Sequence, residues 1–327
     1  MLTDLLILVA SVGVTVLGAE ALVRGSVRIA RRLGLSSLFI GMTIVGFGTS
    51  TPELGASVAA AWRGAEGIAV GNVVGSNICN IALILGAAAL VRPLAVSFPI
   101  VRREICFAAL ACALPFLAVL AGSVVTRPLA AVLLVVLAWS VWDGWRRARA
   151  QTEAERAALP ELEREVAGDR PGRAWTAPAL VVIGLGLLVV GSRLLVDSAV
   201  GLAGVLGVPD VVIGLTIVAM GTSAPEVVTS IVAARRGETD LAVGNVVGSN
   251  VFNALGILGI ASLVRPQAVP GQVLMVDLPV SVVLMALLLP LVRSGARISR
   301  AEGAVLLTLY GLYLAFQFAV APRLFGA

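Results

Sequence analysis

The chain has 327 residues, 59% hydrophobic and only 13% charged, with a mean hydropathy of +1.01, whereas soluble domains carry about 25% charged residues; it belongs in a lipid bilayer. It contains no histidine, which excludes a His-ligated metal centre, a His base and a His proton relay. The formal net charge is +5, but the basic residues are all arginine and cluster at the ends of apolar runs, a pattern of membrane orientation and not of nucleic-acid binding.

Ten apolar runs of spanning length, about 20 residues each, predict helices near 3–23, 37–62, 67–91, 104–121, 127–145, 176–197, 211–235, 240–264, 272–292 and 300–321. The N-terminal Met1-Leu2-Thr3-Asp4 lacks the basic region of a signal peptide, so the first run is read as a retained helix. Glu20 and Arg24 stand four apart on it, as an ion pair near a helix end would. Cys79, Cys106 and Cys112 lie in apolar runs without zinc-type spacing and read as packing residues.

The second run is interrupted by Gly48-Thr49-Ser50-Thr51-Pro52-Glu53. Pro52 has no N–H, so the Gly48 carbonyl loses its intrahelical partner. A carboxylate at bilayer depth is costly and is read as functional by default. The freed carbonyl, the hydroxyls and Glu53 together form a set of hard oxygen donors, which suits Na⁺ or Ca²⁺.

The third run opens with Gly71-Asn72-Val73-Val74-Gly75-Ser76-Asn77-Ile78-Cys79-Asn80. Gly71 and Gly75 allow another backbone to approach closely. Ser76 and Asn80 share a helix face, whereas Asn72 reads as an amide that ties helices together. Glu104 begins the fourth helix, where acids favour the N-terminus. The stretch Arg146–Arg173 is the one long polar segment and mixes seven arginines with six acids. It reads as a cytoplasmic linker, partly helical up to Pro160.

An internal repeat dominates the chain. Gly41 to Pro93 aligns with Gly214 to Pro266 without a gap, at an offset of 173, with about 32 of 53 positions identical. The broken motif recurs as Gly221-Thr222-Ser223-Ala224-Pro225-Glu226. The next helix recurs as Gly244-Asn245-Val246-Val247-Gly248-Ser249-Asn250-Val251-Phe252-Asn253. Arg193 and Asp197 repeat the first ion pair with the charges reversed, and Asp277 matches Glu104; all of these read as structural. Five helices per half force the second half to enter the membrane inverted, and paired breaks at matching positions mark a transporter's binding site. The predicted fold is therefore an all-α integral membrane protein of ten helices in two inverted five-helix repeats with broken helices at the core. The repeats are 1–145 and 176–327, joined by a linker over 146–175. Arg24, Arg28, Arg31, Arg32, Arg92, Arg102, Arg103, Arg235, Arg236, Arg293, Arg297 and Arg300 fall on the linker's side, against Arg63, Arg127, Arg265 and Arg323 on the other. The positive-inside rule then puts both termini outside.

The two blocks resemble the alpha-1 and alpha-2 repeats of the cation/Ca²⁺ exchanger superfamily, and are most similar to prokaryotic sodium/calcium antiporters. The resemblance implies alternating access and ligands at Thr49, Ser50, Glu53, Ser76 and Asn80, then at Thr222, Ser223, Glu226, Ser249 and Asn253. Sodium/calcium members often keep an aspartate where this chain has Asn253. The expectation is a Na⁺/Ca²⁺ antiporter of a prokaryotic inner membrane, with Glu53 and Glu226 bracketing one Ca²⁺. The expected partners are the two ions and the bilayer, with no cofactor, nucleic acid or protein partner indicated. A proton/Ca²⁺ exchanger of the same fold is the alternative. A cation channel fits a closed inverted-repeat site poorly, and no nucleophile–base constellation supports an intramembrane enzyme.

Overall fold

The computed structural model describes residues 2–65, 67–158, 175–205 and 219–325. These residues are helical apart from short connections and four two-residue strands. Among them, eight helices are long and apolar enough to cross a bilayer: Leu5–Leu33, Ile68–Val91, Phe98–Ala121, Arg127–Ala150, Thr176–Ala203, Thr239–Val264, Val273–Arg293 and Arg300–Ala319.

The two expected spans missing from that set are the runs near 37–62 and 211–235, the two that carry the repeated motif. In the first, Ser50 leaves helical geometry (φ −80°, ψ 10°) and separates Ser37–Thr49 from Thr51–Arg63. In the second, Ser223 (φ −87°, ψ 4°) separates Ala219–Thr222 from Ala224–Arg236, while residues 206–218 lie outside the described set. Pro52 and Pro225 each sit in the first turn of the second half-helix, where a missing N–H costs nothing. Proline here starts a new helix instead of kinking an old one.

Several boundaries differ from expectation. The first helix runs to Leu33 and stops at Gly34 with φ +61°. The fourth span begins at Phe98, because Pro99 suits a first turn. Glu104 therefore lies inside that helix and not at its start. Asp277 ends a π-helical turn over Val273–Asp277, buried, and accepts from Tyr313 Oη at 3.1 Å and Gln317 Nε2 at 2.6 Å. It fastens two helices together and does not cap one. The fifth helix continues through Ala158, so the first part of the expected linker extends it; residues 159–174 lie outside the described set.

Contacts between the halves come in pairs related by the 173-residue offset. Strand Leu94–Ala95 pairs with Arg297–Ile298, and Val124–Val125 pairs with Gln267–Ala268. The partners Leu94 and Ile298 are the repeat images of Gln267 and Val125. Arg127 Nε caps the Leu263 carbonyl at 3.1 Å, and its image Arg300 Nε caps the Leu90 carbonyl at 3.0 Å. Arg92 lies against Gly237 and Arg265 against Gly64. Arg92 and Arg300 thus gather at one end and Arg127 and Arg265 at the other, as the two-sided arginine pattern predicts.

Small residues bring the helices close, the usual means of association in lipid. The first helix packs antiparallel along Thr176–Val205. A Cβ added at Gly18 would lie 2.8 Å from Leu188 N, and one at Gly184 would lie 2.6 Å from Leu22 N. Gly244 and Gly248 abut the backbone at Leu38 and Met42 so tightly that a Cβ would overlap it. For Gly71 and Gly75, the repeat-related neighbours Val211 and Leu215 lie outside the described residues. Ile68–Val91 and Thr239–Val264 are mostly buried at the centre, whereas Arg127–Ala150 and Arg300–Ala319 bury few of their residues.

Candidate cation site

The two breaks meet in the middle of the molecule. Each Gly-Thr-Ser-x-Pro-Glu segment turns its serine out of the helix and places its glutamate in the first turn of the next one. Both Glu53 and Glu226 are 1% exposed. Ser50 Oγ donates to Glu226 Oε1 at 2.8 Å, and Ser223 Oγ donates to Glu53 Oε1 at 3.0 Å. Each acid is thus held by the serine of the opposite half. The other carboxylate oxygens, Glu53 Oε2 and Glu226 Oε2, are buried with no hydrogen-bond partner among the described residues. Asn80 Oδ1 and Asn253 Oδ1 are buried and unpartnered in the same way. A buried polar oxygen without a partner is costly, and the four left so on the motif residues are of the hard oxygen type that Na⁺ and Ca²⁺ take.

The remaining predicted residues take different places. Thr49 is buried and its hydroxyl donates to the Val45 carbonyl at 3.0 Å and reaches Asn245 Oδ1 at 3.2 Å. Ser249 Oγ donates to the Gly46 carbonyl at 3.2 Å. Ser76 is buried on the helix that carries Asn80. Thr222 is half-buried at the end of Ala219–Thr222. Asn80 Nδ2 donates to Asn250 Oδ1 at 2.9 Å, whereas neither polar atom of the Asn253 amide has a hydrogen-bond partner among the described residues. Ser50 is therefore joined to Glu226 and Ser223 to Glu53, whereas the Thr49 and Ser249 hydroxyls donate to helix carbonyls.

Asn72 and Asn245 act as ties, as expected. Asn72 Nδ2 donates to Ser57 Oγ at 2.9 Å and its image Asn245 Nδ2 donates to Ser230 Oγ at 2.9 Å. The two serines went unread in the sequence, although each stands on the helix of the motif glutamate and is polar in an apolar setting, which itself calls for a partner. A cleft at the end that carries Arg103 and Arg147 is lined also by Thr43, Glu104, Gly248 and Phe47. Phe47, two residues from Thr49, stacks on Phe252 with ring centroids 4.4 Å apart.

Helices long enough to span a bilayer, packed around two broken ones with a buried glutamate at each break, define an integral membrane ion transporter. The chain belongs to the sodium/calcium exchanger protein family, which it matches over residues 3–142 and 176–319. It is 31% identical to the sodium/calcium exchanger MaX1 of Methanosarcina acetivorans, over 96% of this chain and 98% of MaX1. It is 36% identical to the inner membrane protein YrbG of Escherichia coli, over 81% of each chain. Its fold is similar to that of the sodium-calcium exchanger NCX_Mj, solved with zero Na⁺ and Ca²⁺, with a TM-score of 0.81 and 31% identity over 95% of this chain and 98% of that one.

Proposed function

We propose that this protein is an antiporter that exchanges Na⁺ for Ca²⁺ by alternating access at one site between two inverted five-helix repeats, ten helices in all. The observation that carries this reading is the reciprocal pairing of Ser50 with Glu226 and Ser223 with Glu53, with one oxygen of each acid left unpartnered. Two glutamates bring charge −2, which matches one Ca²⁺. Asn80, Asn253, Ser76, Ser249, Thr49 and Thr222 would supply neutral oxygens toward the 6–8 that Ca²⁺ takes. Mg²⁺ fits less well, because it dehydrates reluctantly and demands a rigid octahedron. Either Na⁺ or Ca²⁺ occupies the site at a time, and that exclusion couples the two fluxes as one half moves against the other. The reading needs no cofactor beyond the transported ions. It places the chain in a prokaryotic inner membrane, with both termini outside and the linker in the cytoplasm, following the arginine distribution.

Proton/Ca²⁺ exchange on the same fold is the second reading, because two protons would neutralise the paired glutamates as two Na⁺ would. The neutral oxygen donors favour Na⁺, since a proton-only cycle has less use for them. Reconstitution decides between the two. An outward-directed Na⁺ gradient at constant pH is expected to drive Ca²⁺ uptake into proteoliposomes. Uptake driven by a proton gradient without Na⁺, and not by a Na⁺ gradient, overturns the first reading in favour of the second.

A further inference from the structure

Asn77 and Asn250 are images of each other at the repeat offset, both buried, on the helices Ile68–Val91 and Thr239–Val264. They form a reciprocal clasp: Asn77 Nδ2 donates to the Asn250 carbonyl at 3.4 Å, and Asn250 Nδ2 donates to the Asn77 carbonyl at 3.2 Å. A carbonyl can only accept, so neither amide can be flipped. Asn77 Nδ2 also faces Cys112 Sγ at 3.5 Å. Both side-chain oxygens are therefore turned to something else. Asn250 Oδ1 accepts from Asn80 Nδ2 at 2.9 Å. With its nitrogen so held, Asn80 keeps its oxygen as the unpartnered end.

The repeat image of that bond would run from Asn253 Nδ2 to Asn77 Oδ1. It is not made: Asn77 Oδ1, Asn253 Nδ2 and Asn253 Oδ1 are all buried without a hydrogen-bond partner among the described residues. The segments that carry them, Ile68–Cys79 and Phe252–Ile257, pack against each other. A bond between that stranded donor and that stranded acceptor would leave one oxygen, Asn253 Oδ1, for a cation.

We propose that Asn77 and Asn250 are positioning residues, each orienting the carboxamide ligand of the opposite repeat: Asn250 sets Asn80, and Asn77 sets Asn253 with its oxygen toward the ion. The inference rests on the reading of Asn80 and Asn253 as ligands. A carboxamide needs such a device because its two ends differ. Turned one way it offers a cation an oxygen lone pair, and turned the other way it offers the positive end of an N–H dipole. A carboxylate has no wrong way round. A chain with asparagine at 253 thus depends on Asn77 in a way that a chain with aspartate there would not.

The test is equilibrium ⁴⁵Ca²⁺ binding to the purified full-length protein in detergent, read as double-mutant cycles. Asn77→Ala and Asn250→Ala are each expected to weaken Ca²⁺ binding about five- to tenfold, the worth of one buried hydrogen bond. The Asn77→Ala loss should vanish in an Asn253→Asp background and persist in an Asn80→Asp background; for Asn250→Ala the two backgrounds exchange roles. A general packing role would instead give the same loss in every background. Asn77→Ser and Asn250→Ser, which keep a hydroxyl donor but end short of the ligand amide, run in parallel in case an alanine variant fails to yield monodisperse protein. If the Asn77 and Asn250 losses are unchanged across backgrounds, or are absent, the positioning role is overturned while the site stands. If Asn80→Ala and Asn253→Ala themselves leave binding intact, the ligand reading falls, and the positioning role with it.

Discussion

Ser50 Oγ donates to Glu226 Oε1 at 2.8 Å although Glu53 lies three residues away on its own chain segment, and Ser223 Oγ returns the contact to Glu53 Oε1 at 3.0 Å. Each carboxylate is thus oriented by the break in the opposite half. A relative movement of the halves would act on both acids at once, as the proposed coupling at a single site requires.

This crossed arrangement predicts matched effects for Ser50→Ala and Ser223→Ala. Each removes a hydrogen bond to a buried carboxylate, worth about 1.5–3 kcal/mol. Each should weaken Ca²⁺ binding by at least about tenfold, and by similar factors. Calcium titration of the two purified variants checks this; a large loss in one and none in the other would contradict the equivalence.

The acids themselves should matter most. Glu53→Gln and Glu226→Gln each remove one of the two central charges, and ligand charge count sets Ca²⁺ affinity. Both should reduce Ca²⁺ flux in proteoliposomes to background while the protein still purifies as an assembled species. Glu104→Gln should do much less. Near-normal flux in either central variant would sink the site assignment.

Replacing Asn253 by aspartate introduces a group that titrates where the amide does not. Asn253→Asp should retain Ca²⁺ transport but lose it more steeply as the medium is acidified, because a proton then competes with the cation for the new carboxylate. Transport measured between neutral and acidic pH, side by side with the unsubstituted protein, shows the difference. Parallel pH profiles would speak against Asn253 facing the ion.

Close helix approach makes a separate prediction about stability. Gly248 abuts Met42 backbone with no room for a Cβ, whereas a Cβ at Gly186 would meet nothing within 4 Å beyond its own stretch of helix backbone. Overpacking costs about 1–3 kcal/mol. Gly248→Ala should therefore lower the thermal midpoint in detergent, and Gly186→Ala should leave it unchanged or raise it slightly.

Orientation in the membrane is tested by labelling. In intact cells, Ala157→Cys should resist an impermeant maleimide and become reactive only once the membrane is opened. Efficient labelling of intact cells would invert the proposed topology.

Much of this protein was legible in one dimension. Pro52 and Pro225 lack an N–H wherever they stand, and a glutamate in an apolar run is costly in any fold, so both breaks could be read locally. The 173-residue offset then marked their equivalence, and arginine distribution sorted the helix ends. Tertiary structure alone decided which groups meet. It paired Ser50 with Glu226 instead of Glu53, joined Asn77 to Asn250, put Asp277 under Tyr313 and Gln317, and pressed Gly248 against Met42. Helical periodicity assigns a residue to a face and a depth. Which of several hydroxyls or amides at that depth lies opposite depends on how helices far apart in sequence are rotated and translated against one another, and that is set by the packing of the whole assembly.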